Sequence, residues 1–580
     1  LQIYLKLKSI KSASIKRTLI WFLPVILSLS YVYIQKSVDV AFPKNDAAEI
    51  VYSAQQLYAE HLKSPEGISW SKLYTIRDFR RTLYPFVIFS ALTIFNGNLL
   101  LALDLVSVFF WIGFLIYTLL TCHKNIGGNN GLLIFWLISC FPSFFSTVFI
   151  GTLELPLLFC ISAICFHLFN CNNFNNKLHT VLSGVFISLG LFFRPAELFA
   201  VLFLLYIYLI IKYKLITPAL ALIYILLASL KFDSSQPAMI AAVLLIYVFI
   251  LMELFLKKIT KLWPLFLLPF ILLTNWYHMV YKEIWSWIYF HNFTAHSAQT
   301  GRRIGLALYE FWASLYIRWG FNSMVGITLA SLVAIYYKPG KQQIKYFLLL
   351  SLPLIILIFF GSFTNNGDPR YYYAGLYIFF LGLGLLAKNI SSVLFRFLII
   401  SAVVMQLWFN YLEVTNTSTS NFKDNLFSII RPKKLWPYDP MIFYPVTDEP
   451  LNSIATELTD NLPNEGVRIL SVSVNQTEKL QYMFDSVAFS IAAKQKNLNH
   501  IYTPSGGAPS TDVEYLKKHF DYIVMGPLNL NFSDEQSKYV TNILEYYKSD
   551  LNSLLETDEI KILSAEYKNT VYKYALIKLN

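Results

Sequence analysis

Charge is what this chain has little of: 14% of its 580 residues are charged, against roughly 25% in an ordinary soluble protein. The deficit falls before about residue 411, where long apolar runs follow one another, and this excludes a single soluble globule. Cysteine is also sparse. All five, Cys122, Cys140, Cys160, Cys165 and Cys171, lie in or beside apolar segments, so the C-terminal part needs no disulfide whichever compartment it faces. No CxxC pair or Cys/His cluster has metal-ligand spacing, so no cofactor can be named and any divalent metal lacks a legible ligand set. The C-terminal part has neither a GxGxxG nor a P-loop sequence, which leaves it without a nucleotide signature. The net charge of +12 comes without any run of basic residues interleaved with exposed aromatics, so nucleic acid is not a partner.

What is present is a series of apolar segments. A transmembrane helix needs about 20 apolar residues. Candidate spans lie at approximately 17–36, 85–121 (a short helix plus a span), 131–150, 152–169, 178–193, 196–211, 217–230, 237–256, 262–280, 322–337, 346–362, 371–387 and 393–411. The fold class expected is a polytopic α-helical membrane protein of about 13 transmembrane helices with a C-terminal soluble α/β domain. The membrane part occupies 1–411 with outer loops 37–84 and 281–321, a linker follows at 412–450, and the α/β domain covers 451–580. The N-terminus is basic and then apolar from Thr18 to about Val32, with no small-residue cleavage site after it, which reads as an uncleaved first span.

Lysines set the orientation. With the N-terminus in the cytoplasm, the cytoplasmic loops hold Lys124; Lys177; Lys212 and Lys214; Lys257, Lys258 and Lys261; Lys338, Lys341 and Lys345; and Lys388 with Arg396. An odd span count then places the C-terminal domain outside the cytoplasm. In that domain Val467–Val474, Tyr522–Met525, Ile560–Ser564 and Val571–Ile577 read as strands, with helical patterns at Thr511–His519 and Asp534–Tyr547.

Several charges on the outer side run against this pattern. Asp46 and Glu49 open a segment in which Ala47, Ile50, Val51, Ala54, Leu57 and Tyr58 share one helical face. Such a helix is expected to lie in the membrane interface. A carboxylate there could deprotonate an acceptor hydroxyl or amine. It could equally be an N-cap with its capping-box glutamate. Arg77, Arg80 and Arg81 precede Tyr84-Pro85 at the start of an apolar helix. They are either phosphate-binding forks or interfacial anchors. Glu154 falls in an outer turn between two spans, and Arg194 between two short apolar pieces. Charges at membrane depth are costly and mark function by default, although Arg194 and Glu197 could form a local ion pair. Asp368-Pro369-Arg370-Tyr371 opens a late span, and Arg370 is the leading candidate for a phosphate clamp. The histidines His291 and His296 lie among aromatics that read best as interfacial packing.

These segments resemble, in order, the GT-C superfamily of membrane glycosyltransferases. The likeness is to the family 39-like group of protein mannosyltransferases and aminoarabinose transferases. The matching segments are Asp46-Ala47-Ala48-Glu49-Ile50, Arg81-x-Leu83-Tyr84-Pro85 with a Gly97-Asn98 turn, Glu154-x-Pro156 with Arg194-Pro195, and Asp368-x-Arg370-Tyr371. They cover the first two thirds of the chain. The resemblance implies an outer cavity, a polyprenyl-phosphate sugar donor, and a lipid, glycan or protein acceptor. It assigns Asp46 as candidate base with Glu49 as understudy, and leaves Arg80, Arg81, Tyr84, Glu154, Arg194, Asp368, Arg370 and Tyr371 as substrate- or phosphate-binding candidates. The family often has two adjacent acids, whereas Ala47 follows Asp46 here. The alternatives are a transporter or flippase of lipid-linked sugars and a non-catalytic envelope-assembly scaffold. No internal repeat favours the transporter, and so many spans exceed what anchoring requires. Topology reporters test the orientation: one fused after Asn580 is expected outside the cytoplasm and one near Lys258 inside. A cytoplasmic signal after Asn580 would mean a miscounted span between 178 and 230.

Overall fold

The computed structural model describes residues 20–30, separate positions between 50 and 62, most of 83–148, 153–193, most of 250–271, 321–363 and 372–414. It also describes parts of 456–473, 501–504, 517–526 and 560–579, with single positions at 33 and 205. The expected span at 217–230, nearly all of the span at 196–211 and of the loop 281–321, the linker beyond Val414 and the helix at Asp534–Tyr547 lie outside the described residues; helix α11 runs into the start of the expected linker, to Val414.

Where sequence and structure overlap, the apolar segments are helices. They are α1 (Ile20–Ser30), α2 (Leu83–Ile94), α3 (Leu99–Thr121), α4 (Gly128–Ser139), α5 (Glu154–Asn170), α6 (Lys177–Phe193) and α7 (Thr260–Ile271), followed by α8 (Phe321–Tyr336), α9 (Lys341–Phe363), α10 (Tyr373–Leu386) and α11 (Val393–Val414). Among the described residues one helix, Leu99–Ile126, is long and apolar enough to cross a membrane by itself. The expected span 131–150 is broken: α4 stops at Ser139, and helix resumes at positions 144–148.

The core helix is α3. Its buried side carries Ala102, Val106, Phe110, Trp111 and Phe114, while Leu101, Leu105, Phe109, Ile116 and Leu120 form an exposed stripe at near-helical spacing. A helix that is apolar on its exposed side as well as its buried side is suited to lipid rather than water. The N-terminal helix α1 packs across this bundle. The Trp111 indole N–H donates to Ser28 Oγ at 3.2 Å, and Trp21 meets the rings of His123 and Phe135 at 5.2 and 6.1 Å.

Small residues let helices approach closely where hydrophobic burial alone gives no preference between neighbours. Gly375 and Gly382 lie seven residues apart on α10 and face α9. A Cβ on Gly375 would come within 2.7 Å of Leu354 Cα, and one on Gly382 within 3.1 Å of Leu350. Gly184 of α6 touches the Pro264 carbonyl of α7 in the same way.

The lysine-bearing loops gather at one end of the bundle. Lys388 Nζ donates to the Asn125 carbonyl at 2.8 Å. Asn130 Nδ2 donates to the Ala387 and Ile390 carbonyls at 2.6 and 2.8 Å, and its Oδ1 accepts from Arg396. Lys261 reaches Asn175 at 3.5 Å, and the Nδ1 atoms of His167 and His179 are 2.7 Å apart, joining α5 to α6 at the same end. The described loops near Lys124, Lys177, Lys261 and Lys388 therefore share one end of the bundle.

Toward the C-terminus five strands form a mixed sheet in the order β2-β1-β3-β5-β4. They are β1 (Arg468–Ser473), β2 (Ile501–Pro504), β3 (Tyr522–Gly526), β4 (Ile560–Tyr567) and β5 (Thr570–Lys578). β1 is parallel to β2 and β3, whereas β5 is antiparallel to β3 and β4. Four strands fall on the segments expected, and β2 is additional. A two-pronged pair ties the sheet together: Arg468 Nη2 and Nε meet Asp521 Oδ1 and Oδ2 at 2.9 and 3.3 Å. The Asp521 carbonyl in turn accepts from the Leu579 amide.

The contact between α6 and α7 is directly testable. A Cβ on Gly184 must displace the Pro264 carbonyl, and overpacking of this kind costs about 1–3 kcal/mol. Gly184→Ala should lower the unfolding temperature in detergent, while Gly340→Ala, at a site with more room, should leave it nearly unchanged. Equal melting of both variants would contradict the close approach.

Candidate functional site

The turn between α2 and α3 lies at the end of the bundle opposite the lysine-bearing loops. Asn96 and Gly97 adopt left-handed backbone, with φ of 50° and 85°, and Asn98 caps α3 by accepting from the Leu101 amide at 3.1 Å. Glycine suits the second position because its Cα faces the Tyr58 ring, 3.0 Å from where a Cβ would sit. The turn reverses the chain, so α2 runs back along the first half of α3. Its second residue, Tyr84, is 1% exposed, with its ring 6.0 Å from Phe110 and its hydroxyl beside Ser107 and near Glu154.

Three further helix ends arrive at this level. Phe159 of α5 lies 5.6 Å from Phe110, and Phe166 lies 5.8 Å from Tyr117. Both pairs have the same sequence offset, which sets Glu154 level with residue 105 of α3. That is about 9 Å along the axis from Leu99 at 1.5 Å per residue. Phe193, the last residue of α6, packs on Tyr84 at 6.3 Å and on Phe110 at 5.7 Å. Near the start of α10, Tyr377 meets Phe114 at 5.5 Å, its hydroxyl is 3.3 Å from that of Thr118, and Tyr373 meets Phe144 at 5.9 Å. The starts of α2, α5 and α10 and the end of α6 thus converge on the stretch of α3 between residues 105 and 114. The first turns of α3 extend beyond them, beside the end of α2 and Tyr58.

Sequence placed Glu154 in the outer turn. It is instead the first residue of α5 and is 2% exposed, set below the start of α3. The free amides and partial positive charge of the α5 N-terminus make that position tolerable for a carboxylate. The first-loop helix also differs from expectation. Ile50, Val51, Ala54, Leu57 and Tyr58 are buried rather than facing a membrane interface. Tyr58 sits against Gly97, and His61 meets Phe89 edge-on at 5.8 Å, so this segment is fastened to the α2–α3 hairpin. The apolar face read from the sequence exists, but protein covers it.

Of the residues singled out by sequence, Tyr84 and Glu154 are described and come together. Asp46, Glu49, Arg80, Arg81, Arg194, Asp368, Arg370 and Tyr371 lie outside the described residues, as do His291 and His296. Several of them are chain neighbours of described helix ends: Arg194 follows Phe193, and Arg81 precedes Leu83 by two residues. Two polar residues of α3 escaped the sequence reading. Ser107 is 2% exposed and faces Tyr84. Asp104 is half-buried within the apolar helix. Treating 85–121 as a uniform apolar run hid both. The rule that ionisable groups inside spans mark function would have found Asp104.

No family model and no curated protein matches the sequence. The structure, however, is similar to ArnT from Cupriavidus metallidurans bound to undecaprenyl phosphate. The TM-score is 0.53 at 10% identity, with 95% of this chain and 97% of that one covered. The apo ArnT from the same organism gives a TM-score of 0.51 at 10% identity over 97% and 98% of the two chains. The likeness runs nearly end to end in both proteins, and at such identity it speaks for architecture: this chain has the fold of ArnT.

Proposed function

We propose that the chain is a membrane glycosyltransferase that takes a sugar from a polyprenyl-phosphate donor and passes it to an acceptor on the non-cytoplasmic face. The observation that carries this reading is the convergence of four helix ends on α3. Buried Tyr84, Ser107 and Glu154 meet there, at the end of the bundle opposite the lysine-bearing loops. The ArnT structure of the same fold holds undecaprenyl phosphate, which supports a donor of that class here. The N-terminus is assigned to the cytoplasm and the region after residue 450 to the other side, as the lysine bias requires.

In this mechanism Asp46, or Glu49 in its place, accepts the proton of the acceptor hydroxyl or amine as that atom attacks the anomeric carbon. The bond from the anomeric carbon to the phosphate oxygen breaks, and its electron pair leaves with the polyprenyl phosphate. Arg370, with Arg80, Arg81 and Arg194, neutralises the developing phosphate charge. Arginine suits the task because its planar fork pairs with two phosphate oxygens at once. Asp368 and Tyr371 join the substrate-binding group.

Two sets of variants test the scheme. Asp46→Asn can still cap a helix but takes no proton, so transfer should fall about a hundredfold or more with donor binding and melting temperature retained. Loss in Glu49→Gln alone would reassign the base to Glu49, and full activity in both would remove the first loop from the chemistry. Separately, Arg370→Ala should weaken donor binding, and Arg370→Lys should restore it only in part because the fork is lost. Unchanged donor affinity in the alanine variant would take Arg370 out of the site.

A further inference from the structure

The turn that joins α5 to α6 is strained. Three consecutive residues, Asn172, Asn173 and Phe174, adopt left-handed backbone with φ of 46°, 55° and 65°. Asparagine visits this region readily, but a bulky side chain there is an outlier, and Phe174 is buried as well. Such backbone persists only where the surrounding structure holds it in place, and it gathers at switch regions. What stands across this turn is a pair of imidazoles. His167 in the last turn of α5 and His179 in the first turn of α6 bring their Nδ1 atoms to 2.7 Å. His167 is 4% exposed, and the rings of Tyr117, Phe166 and Phe186 lie 5.6, 5.1 and 5.7 Å from its own. Its other nitrogen, Nε2, is buried with no partner among the described residues, so the polar contact of this ring is the one to His179.

A 2.7 Å contact between two ring nitrogens has room for one proton. With one ring donating and the other accepting, it is a hydrogen bond. With both rings charged, two N–H groups and two positive charges face each other and the contact is lost. The surrounding groups give no relief. Lys124, in the segment after α3, acts on His179, and Lys177 stands two residues before it on α6. Lys261, the second residue of α7, reaches Asn175 in the turn. Tyr117 faces His167 from α3, Cys171 in the turn bonds the Leu168 carbonyl, and Tyr377 of α10 lies near Cys165, two residues before His167. None of these groups is a carboxylate that could balance a second proton.

The geometry points to a proton-operated catch: the His167–His179 hydrogen bond holds the strained turn of the α5–α6 hairpin closed near neutral pH, and protonation of both rings releases it. The catch goes beyond the transferase reading and does not depend on it. The closed pair accepts at most one added proton and the open pair accepts two, so acid favours the open form. The ordinary histidine value of about 6.5 puts the change between roughly pH 7.5 and pH 5.5. Release lets the left-handed residues relax, so the strain of the turn and the repulsion of the rings act in the same direction.

Hydrogen exchange on the purified full-length protein in detergent tests the catch, read by mass spectrometry and corrected for the intrinsic effect of pH on exchange. The amides of Asn175, Asn176 and Thr180 donate to carbonyls of the turn and report its closure. In the wild type their protection should fall about tenfold from pH 7.5 to pH 5.5, the effect of one additional proton on the open form, while the amides of α3 stay protected. His179→Asn presents an amide that can turn either its nitrogen or its oxygen toward His167, so donor never has to face donor. That variant should keep the turn protected across the same range. Unchanged protection of the wild-type turn at pH 5.5 would overturn the catch, and so would an equal loss in the wild type and His179→Asn. A loss spread evenly over the turn and α3 would mean general acid unfolding and would overturn it too. Where the variant does not fold, the wild-type comparison of the turn with α3 decides by itself.

Discussion

The end of the bundle opposite the lysine-bearing loops depends on a stagger between helices. α3 starts about six residues above α5 and more than ten above the contacts made by α10, as the pairs Phe110–Phe159, Tyr117–Phe166 and Phe114–Tyr377 record. Parallel helices of equal height would close over one another with apolar side chains. Staggered ones leave backbone ends inside the bundle, where each needs a partner. Glu154 at the first residue of α5 answers the positive end of that helix. The α2–α3 hairpin stands beside them, and the left-handed pair Asn96-Gly97 is what allows the chain to double back and bring Tyr84 down to their level.

The two ends of the bundle handle polar groups differently. At the lysine-bearing end, Asn130 spends its side chain on two carbonyls that close α10 and on Arg396, and Lys388 closes onto the neighbouring loop. Those bonds fasten α4 to α10 and α11. At the other end, Tyr84 is as deeply buried as Asn130, and its hydroxyl lies with Ser107 and near Glu154 rather than against backbone carbonyls.

Much of this was legible in the sequence, for physical reasons. Apolar length identified the segments that became α3, α5, α6, α8, α9, α10 and α11, because helix formation in an apolar medium needs little more than apolar side chains. Lysine bias grouped the loops that now meet around Asn130 and Asn175. Alternation found β1, β3, β4 and β5, whereas β2, only four residues long and ending at Pro504, offered too short a pattern. Tyr84 and Glu154 were found as motif members, but their depth was not. Depth is set by the relative heights of helices far apart in the chain, and no local pattern records it. The first-loop helix shows the same limit: its apolar face was read correctly, yet a periodic face has the same signature whether lipid or the α2–α3 hairpin covers it. Ser107 carried no signal at all, since buried serines in apolar helices commonly bond their own backbone, as Ser188 does with Gly184.

The central claim is that the staggered helix ends on α3 form the binding site for a polyprenyl-phosphate sugar. The most direct measurement is an experimental structure of the protein saturated with undecaprenyl phosphate in nanodiscs. Density for the phosphate is expected beside the starts of α2, α5 and α10 and the end of α6, with the lipid chain leaving between apolar helices. Phosphate density at the opposite end, beside Lys124, Lys261 and Lys388, or none near these helix ends at saturating lipid, would contradict the account.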